Sequence, residues 1–223
     1  MKNLKVAVFD LDGTLISSDS IIYTLLNESL NELGKKSVKI NIIQQLISLP
    51  LGKIIQTILP NESLDFYEEC QNLFHHKYQE ATAKNHHIIC YPYVEEQLKK
   101  LNDAGWIMAI CTGAERKSCE NNLEENRIRK YFVSLKTASD GFPPKPDPEI
   151  LRTAIAECGG NLKHAIMIGD TSYDIGMAHK INVKSIGVSW GYHKKEQLIA
   201  AGANEIIDSP EQLFESLERL IHE

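Results

Sequence analysis

Asp10 and Asp12 stand two residues apart where an apolar run ends, in Phe9-Asp10-Leu11-Asp12-Gly13-Thr14-Leu15. In extended backbone the side chains at i and i+2 point the same way. The spacing therefore juxtaposes an anionic nucleophile and a second acid, the pair that covalent transfer with proton donation needs. Asp12-Gly13 is also a turn signal, with Asp10 as a capping residue, and the seven residues alone leave both readings open.

Three later boundaries carry complementary groups. Thr112-Gly113 follows the apolar run Trp106–Cys111 and offers a hydroxyl and a sterically free N–H for phosphoryl oxygens. Lys145 lies in Pro143-Pro144-Lys145-Pro146-Asp147-Pro148, where Pro146 favours extended geometry for the lysine and the flanking prolines limit its wandering. Asp170 and Asp174 follow the run Ile166-Met167-Ile168-Gly169. Each has an ordinary structural use: Asp170 as a helix cap, Asp174 as a first-turn charge. With Asp10, Asp170 also makes a set of hard oxygen ligands suited to Mg²⁺, which takes one or two carboxylates plus substrate phosphate.

The elements that position these groups alternate. Leu4–Phe9, Trp106–Cys111, Val133–Lys136, Ala165–Ile168, Val183–Val188 and Glu205–Ile207 are short apolar runs that predict strands buried on both faces. Amphipathic stretches between them, Val94–Ala104, Arg116–Glu125, Pro148–Glu157, Ser172–Lys180 and Pro210–Ile221, predict helices. The alternation predicts an α/β fold with a doubly wound parallel sheet. Residues 16–87 break it: Ile21, Ile22, Leu25, Leu26, Leu30 and Leu33 recur at helical spacing, and Gly34, Pro50 and Pro60-Asn61 divide the stretch into three or four helices. We expect a core of residues 1–15 and 88–223 carrying a helical insert, 16–87.

The 223 residues suffice for such a core and insert. A net charge of -6 argues against a nucleic-acid partner, which calls for a basic face. Five scattered cysteines with no C-x-x-C spacing predict reduced thiols in a cytoplasmic protein. No apolar run is long enough to span a bilayer, so no membrane partner is expected.

Taken in order, these motifs resemble the haloacid dehalogenase superfamily, and within it the phosphoglycolate-phosphatase-like hydrolases with a helical cap after the first strand. Tyr91-Pro92 and Ile186-Gly187-Val188-Ser189-Trp190-Gly191 extend the resemblance over nearly the whole chain. It implies a Mg²⁺-dependent phosphatase of a small phosphorylated metabolite, phosphoglycolate-like or a sugar phosphate, working through a phospho-aspartate. It implies Asp10 as nucleophile, Asp12 as general acid/base, Thr112 and Gly113 as phosphoryl-binding groups and Lys145 as charge compensation. The metal would take Asp10, the Asp12 carbonyl and Asp170, with Asp174 a direct or indirect ligand.

Some positions depart from the family pattern. Tyr93 and Asn182 stand where relatives often carry Gly, and Thr112-Gly113-Ala114 replaces a Thr-Asn-Lys common in phosphoglycolate phosphatases, which argues against that substrate. The insert has no arginine, leaving Lys53, Lys77, Lys84 and the pairs His75-His76 and His86-His87 as its candidate anion-binding groups. A phosphosugar mutase would keep both aspartates and is separated by its failure to release phosphate. A receiver-type signalling module would be shorter, without the insert. A dehalogenase would lack the second carboxylate, here Asp12.

Overall fold

The computed structural model describes residues 4–84 and 88–222; His86 and His87 lie outside them. Six parallel strands form one sheet: β1 (Val6–Phe9), β2 (Ile107–Cys111), β3 (Phe132–Lys136), β4 (Ala165–Gly169), β5 (Lys184–Val188) and β6 (Glu205–Ile207). Their spatial order is β3-β2-β1-β4-β5-β6, so the chain reverses direction across the sheet between β1 and β4. That switch point opens a crevice at the carboxyl ends of neighbouring strands. Phe9 pairs with Ile110 on one side and Ile168 on the other, which brings the residues after all three strands to one rim.

Four helices separate β1 from the rest: α1 (Asp19–Glu32), α2 (Ile40–Gln44), α3 (Leu51–Ile58) and α4 (Leu64–Ala83). Gly34, Pro50 and Pro60-Asn61 each fall between two of them. Then come α5 (Val94–Asp103), α6 (Arg116–Glu125), α7 (Glu149–Glu157), α8 (Ser172–Lys180), α9 (Lys195–Ala200) and α10 (Leu213–Leu220). Pro210–Gln212, expected as the first turn of the last helix, is a separate 3₁₀ turn before α10. Strand alternation splits the core. Ala7 and Phe9 of β1 pack with α5, α6 and α10, while Val6 and Val8 pack with α7 and α8.

The chain leaves and re-enters the α/β unit through adjoining segments. Ile16 pairs with Cys90 in an antiparallel bridge, Ser17 N–H donates to Ile89 O at 3.1 Å, and Tyr91 N–H donates to Leu15 O at 3.0 Å. Helices α1–α4 therefore hang from a paired neck. Tyr93 (φ 66°) and Asn182 (φ 55°) both adopt the left-handed conformation glycine would occupy without strain. All five cysteines are unpaired. No described helix is long and apolar enough to cross a membrane.

Candidate active site

Asp10 follows the last residue of β1 and is held by its own N–H, which donates to Ile168 O at 2.9 Å. Its side chain is fully buried. Lys145 reaches it from the proline-rich turn, Nζ to Oδ1 2.6 Å, and the same ammonium lies 2.6 Å from Oδ1 of Asp174. The Lys145–Pro146 peptide is cis. Asp10 Oδ2 takes no hydrogen bond from any described residue, an orphaned buried oxygen that a bound cation or substrate would satisfy.

Asp170, just past β4, accepts from Thr14 Oγ1 and from Tyr192 N–H, both at 2.9 Å. Asp10, Asp170 and Asp174 each place an oxygen within 4.8 Å of the others. Three carboxylates face one ammonium in a water-poor site. Burial pushes Asp10 well above the ordinary carboxylate range, against the pull of Lys145, and Asp174 and Asp170 add to the rise. Burial and the neighbouring Asp174 push Asp170 up to about 7. This excess negative charge, with hard oxygen donors and an orphaned oxygen, fits a divalent cation.

The two later acids are unequal as ligands. Oδ2 of Asp174 is occupied by both the N–H of Thr171 (3.2 Å) and its hydroxyl (2.6 Å), a capping box that starts α8. Its Oδ1 takes Lys145. The oxygens of Asp170 accept one good hydrogen bond each, leaving lone pairs for an ion.

Asp12 sits just before the turn and lines a cavity of about 240 Å³ bordered by α1, α3, α4 and the loops after β2 and β3, which Asp10, Lys145, Asp170 and Asp174 do not line. Burial raises its pKa, opposed by the hydroxyls of Ser18 and Thr112 and the charge of Lys145. Gly13 makes the turn at φ +87°, and a side chain there would come within 2.8 Å of the Asp170 carboxyl carbon. Thr112 is buried and its Oγ1 accepts from Ala114 N–H at 3.0 Å. A side chain at Gly113 would strike the backbone of Ser48 and Leu49, so the glycine admits the α2–α3 loop to the site.

Ser48, which the sequence motifs do not mark, is that loop's contribution. It is buried, has φ 100°, and its hydroxyl lies 3.3 Å from Lys145 Nζ and 3.4 Å from each oxygen of Asp174. The loop after β5 covers the opposite side. Tyr192 OH meets Ser18 Oγ at 3.1 Å, and His193, buried and shifted toward the neutral form by desolvation, links Ser172 N–H to Gln45 O. Of the insert's described candidate cations, only His75 lines the cavity, 3.0 Å from Glu115. Lys53 is exposed, Lys77 pairs with Glu32 at 2.8 Å, and Lys84 lies along a separate groove beside α1.

Known proteins resemble this chain in sequence and in fold. The family model described as haloacid dehalogenase-like hydrolase matches residues 7–188. Phosphoglycolate phosphatase of Vibrio parahaemolyticus is 28% identical over 222 residues, covering 96% of either chain. Pyrophosphatase PpaX of Bacillus velezensis is 27% identical over 221 residues, covering 99% of this chain and 96% of its own. Among solved structures, a hydrolase from Pseudomonas syringae superposes with a TM-score of 0.86 at 21% identity, over 97% of this chain and 99% of its own, a likeness of fold.

Proposed function

The chain belongs to the haloacid dehalogenase-like hydrolase family, and on that footing we propose that it is a Mg²⁺-dependent phosphatase that hydrolyses a small phosphate monoester through a phospho-aspartate on Asp10. The observation that carries this reading is the buried Asp10 carboxylate, held by Lys145 at 2.6 Å through one oxygen and unpartnered at the other.

In the first transfer a carboxylate oxygen of Asp10 bonds to phosphorus as the bond to the leaving oxygen breaks. Asp12 gives that oxygen its proton. In the second, Asp12 takes a proton from water as the water oxygen bonds to phosphorus and the Asp10–phosphorus bond breaks, releasing inorganic phosphate. Lys145 sets a positive charge beside the transferred group. Thr112 and Gly113 border the same approach, and their hydroxyl and N–H orient phosphoryl oxygens. Asp10, the Asp12 carbonyl and Asp170 would hold Mg²⁺, while Asp174, engaged by Thr171 and Lys145, positions the lysine. When bound, the ion offsets charge on the phosphoryl oxygens and on the acids.

Residues 16–87 would act as a cap domain on a core of 1–15 and 88–223, with segments 16–19 and 87–92 as its hinge. The approach of Ser48 to Lys145 supports a closed arrangement that excludes water. Phosphate release from p-nitrophenyl phosphate tests the reading: it should occur with Mg²⁺, stop with EDTA, and be absent in a folded Asp10→Asn variant. Turnover by that variant rules Asp10 out as nucleophile.

A further inference from the structure

The cavity beside Asp12 has a chemistry of its own. Asp12 is the only member of the acid–lysine cluster on its wall. A group filling the cavity is thus attached to the oxygen that Asp12 protonates, so on the phosphatase reading this is the leaving-group pocket.

Its walls are largely hydrocarbon: Ile22, Ile47, Leu49, Leu51, Ile54 and Phe74. No lysine or arginine lines it. Among the described residues, its ionisable side chains are the carboxylates of Asp12 and Glu115, the imidazole of His75 already held 3.0 Å from Glu115, and the phenol of Tyr78. Neighbouring cations are engaged or exposed outside the lining. Lys145 bridges Asp10 and Asp174, Arg116 is committed to Asp140 at 2.7 Å, and Lys53 and Lys117 are exposed and off the wall. A carboxylate or second phosphate in this space would lose its water against hydrocarbon and meet two acids, with no lysine or arginine among the described wall residues in return. An apolar body gains from the same walls. Gln71, Ser118 and Ser139 add neutral hydrogen-bonding groups.

We infer that the substrate is the phosphate monoester of an uncharged alcohol with an apolar body, and that esters whose leaving group is anionic, such as phosphoglycolate, are excluded by the cavity wall. The inference rests on the phosphatase reading and narrows its substrate.

The full chain with Mg²⁺ is assayed for phosphate release from ethyl, propyl and butyl phosphate, from phosphoglycolate and pyrophosphate, and from p-nitrophenyl phosphate as a reference. From ethyl to butyl, kcat/KM should rise by up to about fourfold per methylene. Phosphoglycolate, close in size to propyl phosphate, should fall at least about tenfold below it. Phosphoglycolate or pyrophosphate cleaved as well as propyl phosphate overturns the inference while leaving the phosphatase reading intact. No release from any ester, the reference included, overturns the phosphatase reading itself and the inference with it. A cation placed in the wall should act in the opposite sense. Leu51→Arg, or Ser118→Arg from the facing wall, should raise the phosphoglycolate-to-propyl phosphate ratio by about tenfold. An unchanged ratio in both folded variants also overturns the inference.

Discussion

Lys145 donates to Oδ1 of Asp10 at 2.6 Å, and no described residue donates to Oδ2. One buried ammonium therefore stabilises the proposed nucleophile and leaves its second oxygen open. Because the same ammonium also reaches Asp174, removing it leaves carboxylates facing one another without compensation. Lys145→Met should lower kcat by about 10²–10³. It should also cost about 3–5 kcal/mol of stability, since breaking a buried pair strands the remaining charge. Steady-state kinetics and urea unfolding check the two effects. A variant with unaltered kcat would remove Lys145 from the transfer step.

Metal binding should be visible without turnover. Mg²⁺ bound to the folded chain and not to the unfolded one raises the melting temperature, and EDTA reverses the rise. Asp170→Asn deletes a charged ligand and should weaken Mg²⁺ at least about tenfold, read by calorimetry. Gly13→Ala should do the same for a different reason: its φ of +87° and its closeness to the Asp170 carboxyl leave no room for a side chain. Unchanged Mg²⁺ affinity in Asp170→Asn would place the ion elsewhere.

The neck of the insert holds a second local strain. Tyr93 caps α5 at φ 66° with its side chain half exposed. A non-glycine residue there costs about 1–2 kcal/mol, partly offset by the greater unfolded-state freedom of glycine. Tyr93→Gly should therefore stabilise the protein by about 0.5–1 kcal/mol, measured by urea unfolding. A loss of stability would mean that the ring's packing outweighs the backbone strain.

The sheet was legible in the chain because each strand is a short apolar run ended by Asp, Thr, Ser or Gly, and both faces are covered. The acids were legible because they sit at those ends. Helix α9 escaped, since its six residues bury only Leu198 and so show no period. Ser48, Tyr192 and His193 escaped for another reason. Each enters the site from a loop whose place depends on strand order and on the fold of residues 16–87, and a serine or tyrosine in a loop announces no partner. Lys53, suggested by its nearness to Pro50, lies on the exposed side of α3 because Ile54 and Ile55 take the buried side. The uncharged cavity wall became visible only when α1, α3 and α4 were placed against Asp12.

Arg116 and Asp140 provide a pH-dependent brace beside the site. The guanidinium holds both carboxylate oxygens, at 2.7 and 2.9 Å, and Thr137 adds its N–H at 2.7 Å. Partial burial works against the charge, but these donors prevail and hold Asp140 below the ordinary carboxylate range. A folded-state pKa below the unfolded value of about 3.9 gives stability that is present above that pH and is lost as pH falls through the folded pKa. Asp140→Ala should thus cost about 1–2 kcal/mol at pH 7, with the gap to the parent closing below about pH 4. Urea unfolding at pH 7 and pH 3 checks it; an equal gap at both would exclude the ion pair as the cause.

The roles proposed for Asp10 and Asp12 separate kinetically. Burial raises the pKa of Asp12 despite the hydroxyls of Ser18 and Thr112, which suits a group that must carry a proton to the leaving oxygen. A phenolate leaves without much help, whereas an alkoxide needs that proton. Asp12→Asn should therefore lose less in the first transfer from an aryl phosphate than from an alkyl phosphate. The second transfer still needs a base for water and should slow for both. With the aryl ester, phospho-enzyme should accumulate and phenol appear in a burst near one equivalent per active enzyme. If Asp12 only shapes the turn before Gly13, aryl and alkyl rates fall in parallel and nothing accumulates. Rapid quench with labelled phosphate distinguishes the two: parallel losses with no trapped label would take Asp12 out of the mechanism.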